Sequence, residues 1–302
     1  MFTLPACDQL VAAALAEDLG VPADRLLRPG DRSLLARDVT SASVVPAEAR
    51  FAGRIVARQQ CVVCGLPVAE RVFEMLAAAV GLGEEVEVFP LVAEGATVTA
   101  GTPVAEVSGP ARVVLAAERT ALDLVMLLSG IATEAARWQA EAGEGMAVTD
   151  TRKTLPGLRA LSKYAVAVGG AHNHRSGLWD MVLVKDNHIA HAGGIGAAVK
   201  AARSACPDLL VEVEADTIAQ AFEASAAGAD IVLLDNMDDQ ATTEAVRAVH
   251  AASPAERQCL TEASGGITFD RLASLRTTGV DRVSSSALTL APPVDFGLDE
   301  VT

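Results

Sequence analysis

The chain has 302 residues, a formal charge of -15, 51% hydrophobic residues and 3% aromatic ones. That length suits one large α/β domain with an appendage, or two domains, while the acidic balance excludes the extended basic face that nucleic acid requires. The longest apolar runs, 10–16 and 75–80, are too short to span a bilayer, and the opening MFTLPACDQL has no basic stretch ahead of an apolar run, so no secretory signal and a cytoplasmic location are expected.

The first hundred residues carry short strand-like runs at 54–58, 61–63, 85–89, 97–99 and 104–107, broken by turn residues. A helical pattern at 67–80 crosses them, with Val68, Val72, Met75 and Leu76 on one face. This predicts a small α+β unit over 1–112. A long helical pattern from Val113 towards Ala142 links it to the remainder, and it carries Arg119.

Beyond the link the texture becomes strand and helix in alternation. Strands are expected at 146–150, 181–185, 209–214, 230–235, 258–263 and 281–286, and helices at 158–168, 196–205, 218–227, 239–252 and 269–277. Apolar strands joined by helical crossovers pair in parallel. Nearly every strand ends in a chemically capable residue: Asp150 with Arg152 and Lys153, then Lys185, Glu214, Asp235, and Ser264 with Gly265 and Gly266. In a (β/α) barrel such ends converge on one mouth, whereas a dinucleotide-binding sheet would show a Gly-rich fingerprint after its first strand, and none follows Asp150. An incomplete six-stranded barrel over 113–288 is the expected architecture, followed by a tail at 289–302 that returns to the first domain.

Cationic chemistry is concentrated between Asp150 and His191: Arg152, Lys153, Arg159, Lys163, Arg175 and Lys185, with four of the five histidines, His172, His174, His188 and His191. Such a cluster within an acidic chain is costly unless an anion fills it, so a small polyanion is the expected ligand. Glu214 and Asp235 end consecutive strands, where they suit hydrated magnesium or ribose hydroxyls, or else cap the next helices. Gly265 and Gly266 let backbone approach a phosphate at a helix start, although many strand-to-helix turns use the same pair. His174, Arg175 and Lys185 either bind carboxylates or pair with Asp180 and Asp186. The five cysteines form an odd, scattered set without a second pair to complement Cys61 and Cys64, so packed thiols are expected.

The runs DTRKTLPGLRALSKYAV, GGAHNHRSGLWDMVLVKDNHI, VEVEA, GADIVLLDNM and EASGGIT closely resemble the quinolinate phosphoribosyltransferase family, and GLPVAERVFE and AAERTALDLVMLLSGIAT extend the likeness over nearly the whole chain. Related ModD-like proteins usually lose the KDNH that stands at 185–188. The resemblance implies an N-terminal α+β sandwich domain, a six-stranded incomplete barrel, and a homodimer in which Arg119 of one subunit completes the other's site. It further implies that Arg152, His174, Arg175 and Lys185 hold the two carboxylates of quinolinate, with Lys153 near phosphoribosyl pyrophosphate. Glu214 and Asp235 would face Mg2+ and ribose, with Lys185, Glu214 and Asp235 as the catalytic set, and Ser264, Gly265, Gly266 and Ser286 would face the 5-phosphate.

Two positions depart from the family pattern. Ser286 stands where a Gly is usual and Leu290 where a His is usual, and a required positive φ would disfavour Ser286. Two rivals follow: a ModD-like or altered paralogue that binds a phosphoribosyl ligand without decarboxylating it, and an aldolase-like barrel in which Lys185 forms a Schiff base.

Overall fold

The computed structural model describes residues 3–253 and 257–301. They form two compact units, one of residues 3–134, 155–169 and 291–301, the other of residues 135–154, 170–253 and 257–290.

In the first unit, α1 (Asp8–Leu19) is closed by Gly20 in a left-handed cap, and α2 (Val39–Val44) is a short turn capped by Asp38. β1 (Arg50–Ala57), β3 (Glu87–Pro90), β5 (Pro103–Pro110) and β12 (Phe296–Glu300) build an antiparallel sheet in the order β12-β1-β5-β3, and β2 (Cys61–Val62) pairs with β4 (Thr97–Val98). α3 (Leu66–Ala79) buries the expected face of Val68, Val72, Met75 and Leu76. Its N-terminus is held by Glu94, which accepts the N–H groups of Gly65 and Leu66 and the hydroxyl of Tyr164 at 2.8–3.0 Å. Tyr164 lies on α5 (Arg159–Val168). The sequence placed this helix among the barrel elements, but it belongs to the first unit. α1 was not expected as a helix, because its Ala-rich composition blurs the apolar stripe that Val11, Leu15 and Leu19 nevertheless bury.

α4 (Ala111–Ala142) spans 32 residues and ends within the second unit. There β6 (Ala147–Thr149), β7 (Val182–Val184), β8 (Val211–Ala215), β9 (Ile231–Asp235), β10 (Leu260–Ser264) and β11 (Arg282–Ser284) form one parallel sheet in the order β6-β11-β10-β9-β8-β7. The first strand pairs with the last, so the sheet curls into an incomplete six-stranded barrel whose seam lies between β6 and β7. Residue 172 spans part of that seam: the His172 N–H donates to Val148 and its carbonyl accepts from Asp150. Helices α7 (Ile195–Ala205), α8 (Ile218–Ala226), α9 (Asp239–Ala252) and α10 (Leu272–Leu275) cross over between strands.

Strand β7 is shorter than the expected 181–185, because Lys185 is the N-cap of α6 (Asp186–Ala192). No apolar period marks α6 in the sequence. It starts on a polar cap instead, with His188 Nδ1 accepting the Lys185 N–H at 2.9 Å. No helix among the described residues is long and apolar enough to cross a membrane.

Candidate active site

Side chains alternate along a strand, so every second residue of the barrel strands points inward. At the carboxyl ends these inward positions, with the loops after β6 and before β7, line a cleft of about 200 Å³. Nine of the expected site residues meet there: Arg152, Lys153, His174, Arg175, Lys185, Glu214, Asp235, Ser264 and Gly265. Gly266 follows directly with φ 59 but does not line the cleft, and neither do Ser286 and Arg119. Arg159 and Lys163, counted with the cationic cluster in the sequence, lie on α5 and are also outside it. A larger cavity of about 450 Å³ in the first unit is walled mostly by apolar residues such as Leu66, Val88 and Pro90 and gathers none of this chemistry.

Electrostatics in the cleft favour an anion. Burial, and then the charge of Arg152 beside it, push the Arg175 pKa below the usual guanidinium value. Arg152 Nε is itself buried with no hydrogen-bond partner. Two guanidinium groups close enough to oppose one another's charge, one with an unpartnered Nε, suit a ligand bearing two carboxylates. Lys185 Nζ forms an ion pair with Glu214, whose side chain is 12% exposed against 45% for the lysine. A paired, half-exposed amine lacks the desolvated setting a Schiff-base lysine needs, which counts against the aldolase-like rival.

The floor of the cleft holds charges that the sequence reading missed. His174 Nε2 lies 2.9 Å from Glu212 and 3.5 Å from Glu262, both of whose side chains are fully buried. Arg282 reaches the same two carboxylates, at 3.5 and 2.5 Å. Burial lowers the His174 pKa, but the Glu212 hydrogen bond and both carboxylates outweigh it, leaving a net rise. Burial and then Glu212 raise the Glu262 pKa. The ligand atoms of His174, Glu212 and Glu262 lie within 4.8 Å of one another, a group that could coordinate a divalent metal. A period-2 reading of VEVE, TEAS and RVS would have revealed the layer, since each places a charge two residues before a cleft residue.

The phosphate side is built from tight turns. Gly265 has φ 83, and a Cβ there would fall 2.6 Å from Asn236 Cγ. Asn236 is the only non-glycine residue among those described with positive φ, so Ser286 carries no such strain. Its carbonyl accepts the Leu290 N–H at 3.1 Å. Arg119 is exposed on α4 and pairs with Asp123, one turn on, at 3.2 Å. Burial raises the pKa of Cys61 and Cys64, the opposite of what a reactive or metal-binding thiolate requires.

The sequence matches the quinolinate phosphoribosyl transferase C-terminal domain over residues 131–299 and the N-terminal domain of the same enzyme over 38–129. The chain belongs to the quinolinate phosphoribosyltransferase family. Members similar to it include a probable nicotinate-nucleotide pyrophosphorylase (carboxylating) of Synechocystis, 44% identical over 83% of each chain. The Mycobacterium leprae nicotinate-nucleotide pyrophosphorylase is 41% identical over 87% of this chain and 90% of its own. Among solved structures of the family, the Ehrlichia chaffeensis nicotinate-nucleotide pyrophosphorylase superposes with a TM-score of 0.85 at 30% identity, covering 99% of this chain and 100% of that one. The Francisella tularensis enzyme gives 0.82 at 31% identity, over 97% and 95%.

Proposed function

We propose that this chain transfers phosphoribose from phosphoribosyl pyrophosphate to quinolinate, releasing pyrophosphate and CO2 and giving nicotinate mononucleotide for NAD biosynthesis. The observation that carries the reading is the gathering of two guanidinium groups, Arg152 and Arg175, in one cleft with the strand-end carboxylates Glu214 and Asp235.

Arg152, Arg175 and Lys185 bind the two carboxylates, Lys185 exchanging Glu214 for substrate when quinolinate arrives. Glu214 and Asp235, hard oxygen donors at neighbouring strand ends, suit Mg2+, partly through water, together with the ribose hydroxyls. When bound, the ion offsets charge on the departing pyrophosphate. Ser264, Gly265, Gly266 and Ser286 receive the 5-phosphate, with Lys153 beside the donor. As the bond from C1 to pyrophosphate breaks, the sugar gains oxocarbenium character, and preorganised charge at the barrel mouth stabilises the separating anion. The pyridine nitrogen becomes cationic on ribosylation. Loss of the adjacent carboxylate as CO2 then leaves the electron pair on the ring carbon beside N⁺, which stabilises it by charge until that carbon takes up a proton, so the protein's work is orientation and charge placement.

The family resemblance supports a homodimer in which Arg119 of one subunit enters the other's site, and the side chain's exposure on α4 is compatible with that role. A cytoplasmic location fits the acidic, reduced-thiol composition.

Calorimetric titration with quinolinate and with nicotinate, which lacks the second carboxylate, tests the reading. Quinolinate should bind about tenfold or more tightly, because loss of a carboxylate leaves a guanidinium unpaired. Equal affinities would contradict a dicarboxylate site.

A further inference from the structure

Below the side chains that face the cleft lies a second ring of charge. Glu212 stands two residues before Glu214, Glu262 before Ser264 and Arg282 before Ser284, so all three point inward one layer deeper. Arg282 bridges the two fully buried carboxylates, and His174 Nε2 lies 2.9 and 3.5 Å from the same pair.

We infer that Glu212, Glu262 and Arg282 are positioning residues that act through His174 to aim Arg175. A neutral imidazole has one donor and one acceptor. Here Nδ1 accepts the Arg175 backbone N–H at 2.8 Å, so the proton sits on Nε2, which faces Glu212 at 2.9 Å. Both ring nitrogens are spent within the protein. The ring therefore joins a rigid floor to the backbone of the residue whose guanidinium enters the cleft, and the His174 N–H is fixed in turn by the fully buried Asp150 at 2.9 Å.

Packing alone does not explain the layer. Apolar side chains of similar volume would fill the barrel without the desolvation cost of two carboxylates and a guanidinium. What an ionic floor adds is direction. Arg282 supplies counter-charge to both carboxylates and holds Glu212 beside the His174 Nε2. Its effect on turnover rests on the quinolinate reading above.

The test uses the full-length protein. Glu212→Met removes the acceptor yet leaves Arg282 and Glu262 as a balanced pair, and it should raise KM for quinolinate about tenfold while KM for phosphoribosyl pyrophosphate stays within about threefold. Glu212→Gln keeps an acceptor oxygen and should restore both to within about threefold of wild type. Added to His174→Ala, Glu212→Met should change the quinolinate KM by less than about twofold, because both changes break one chain of contacts. Should Glu212→Met fail to fold, Arg282→Lys, which keeps the charge and loses the fork, should show the same selective rise. Nitrogen-15 histidine NMR reads the geometry without substrate: wild-type His174 should be the Nε2–H tautomer, and Glu212→Met should keep that tautomer, which the Arg175 N–H holds, but shift the Nε2 resonance as its acceptor is lost. An unchanged Nε2 resonance together with an unchanged quinolinate KM, or effects that multiply with His174→Ala, would overturn the inference. A wild type that fails to turn over quinolinate would defeat the proposed function, while the NMR arm still decides this inference.

Discussion

Gly265 and Asn236 fit together with no room for one more carbon. Asn236 donates its N–H to the Ser264 carbonyl at 2.9 Å, and a Cβ on Gly265 would lie 2.6 Å from its Cγ and 2.9 Å from its backbone nitrogen. The contact brings the ends of β9 and β10 together, where Asp235 and Ser264 are paired in register. Gly265→Ala adds both that clash and the strain of a left-handed alanine, about 1–3 kcal/mol. We expect a KM for phosphoribosyl pyrophosphate raised about tenfold, with a smaller change for quinolinate, as measured by steady-state kinetics. Equal effects on both substrates would remove Gly265 from the phosphate side.

Removing the charges that face the dicarboxylate should cost turnover without cost to folding. Lys185→Ala and Arg152→Ala should each lower kcat/KM for quinolinate by about 10²–10³. Arg152 stands in the loop after β6 and Lys185 at the cap of α6, both beyond the strands, so circular dichroism and the melting temperature should stay close to wild type. Turnover near the wild-type rate would count against these assignments.

Asp180 fastens the loop that follows Arg175. Its carboxylate accepts the N–H groups of Ser176 and Gly177 at 2.6 and 3.0 Å. Burial pushes its pKa up, but these donors, together with its own N–H and the Ser176 side chain, outweigh it and hold it below the usual Asp value. A carboxyl depressed in the folded state stabilises it above the unfolded value of about 3.9, and that support is lost as pH falls through the lower folded value. Trp179 is 74% exposed on this loop. Its fluorescence should therefore report an acid transition below about pH 4 that Asp180→Asn abolishes. A transition that persists in the variant would assign it to another group.

Tyr164 ties α5 to the α3 N-terminus through Glu94 at 2.8 Å. Tyr164→Phe removes a hydroxyl donor to a carboxylate inside the first unit. Denaturant unfolding should show a loss of about 1.5–3 kcal/mol with kcat little altered. A loss below about 0.5 kcal/mol would mean that the backbone donors alone hold Glu94.

Much of the architecture was legible because periodicity is written in the barrel half. Each of its strands overlaps an apolar run, and four of the polar residues at or just beyond those ends, Lys185, Glu214, Asp235 and Ser264, line one cleft, whereas Asp150 and Ser286 do not. Less was legible where local pattern and tertiary role part company. α5 follows β6 as a barrel helix should, yet it belongs to the first unit, a long-range preference that no window of sequence encodes. The helix α6 begins at Lys185 on a polar cap and carries no apolar stripe. Glu212 was read only as part of an apolar strand, because its partners Glu262, Arg282 and His174 lie 50, 70 and 38 positions away and meet it only once the barrel curls.

The most direct measurement supplies carboxyl-labelled quinolinate, phosphoribosyl pyrophosphate and Mg2+ to the purified protein and follows labelled CO2 and pyrophosphate together. The account predicts that both appear in equal amounts, only when all three components are present. Absence of labelled CO2, or pyrophosphate released without it, would contradict the assignment of this cleft to decarboxylating phosphoribosyl transfer.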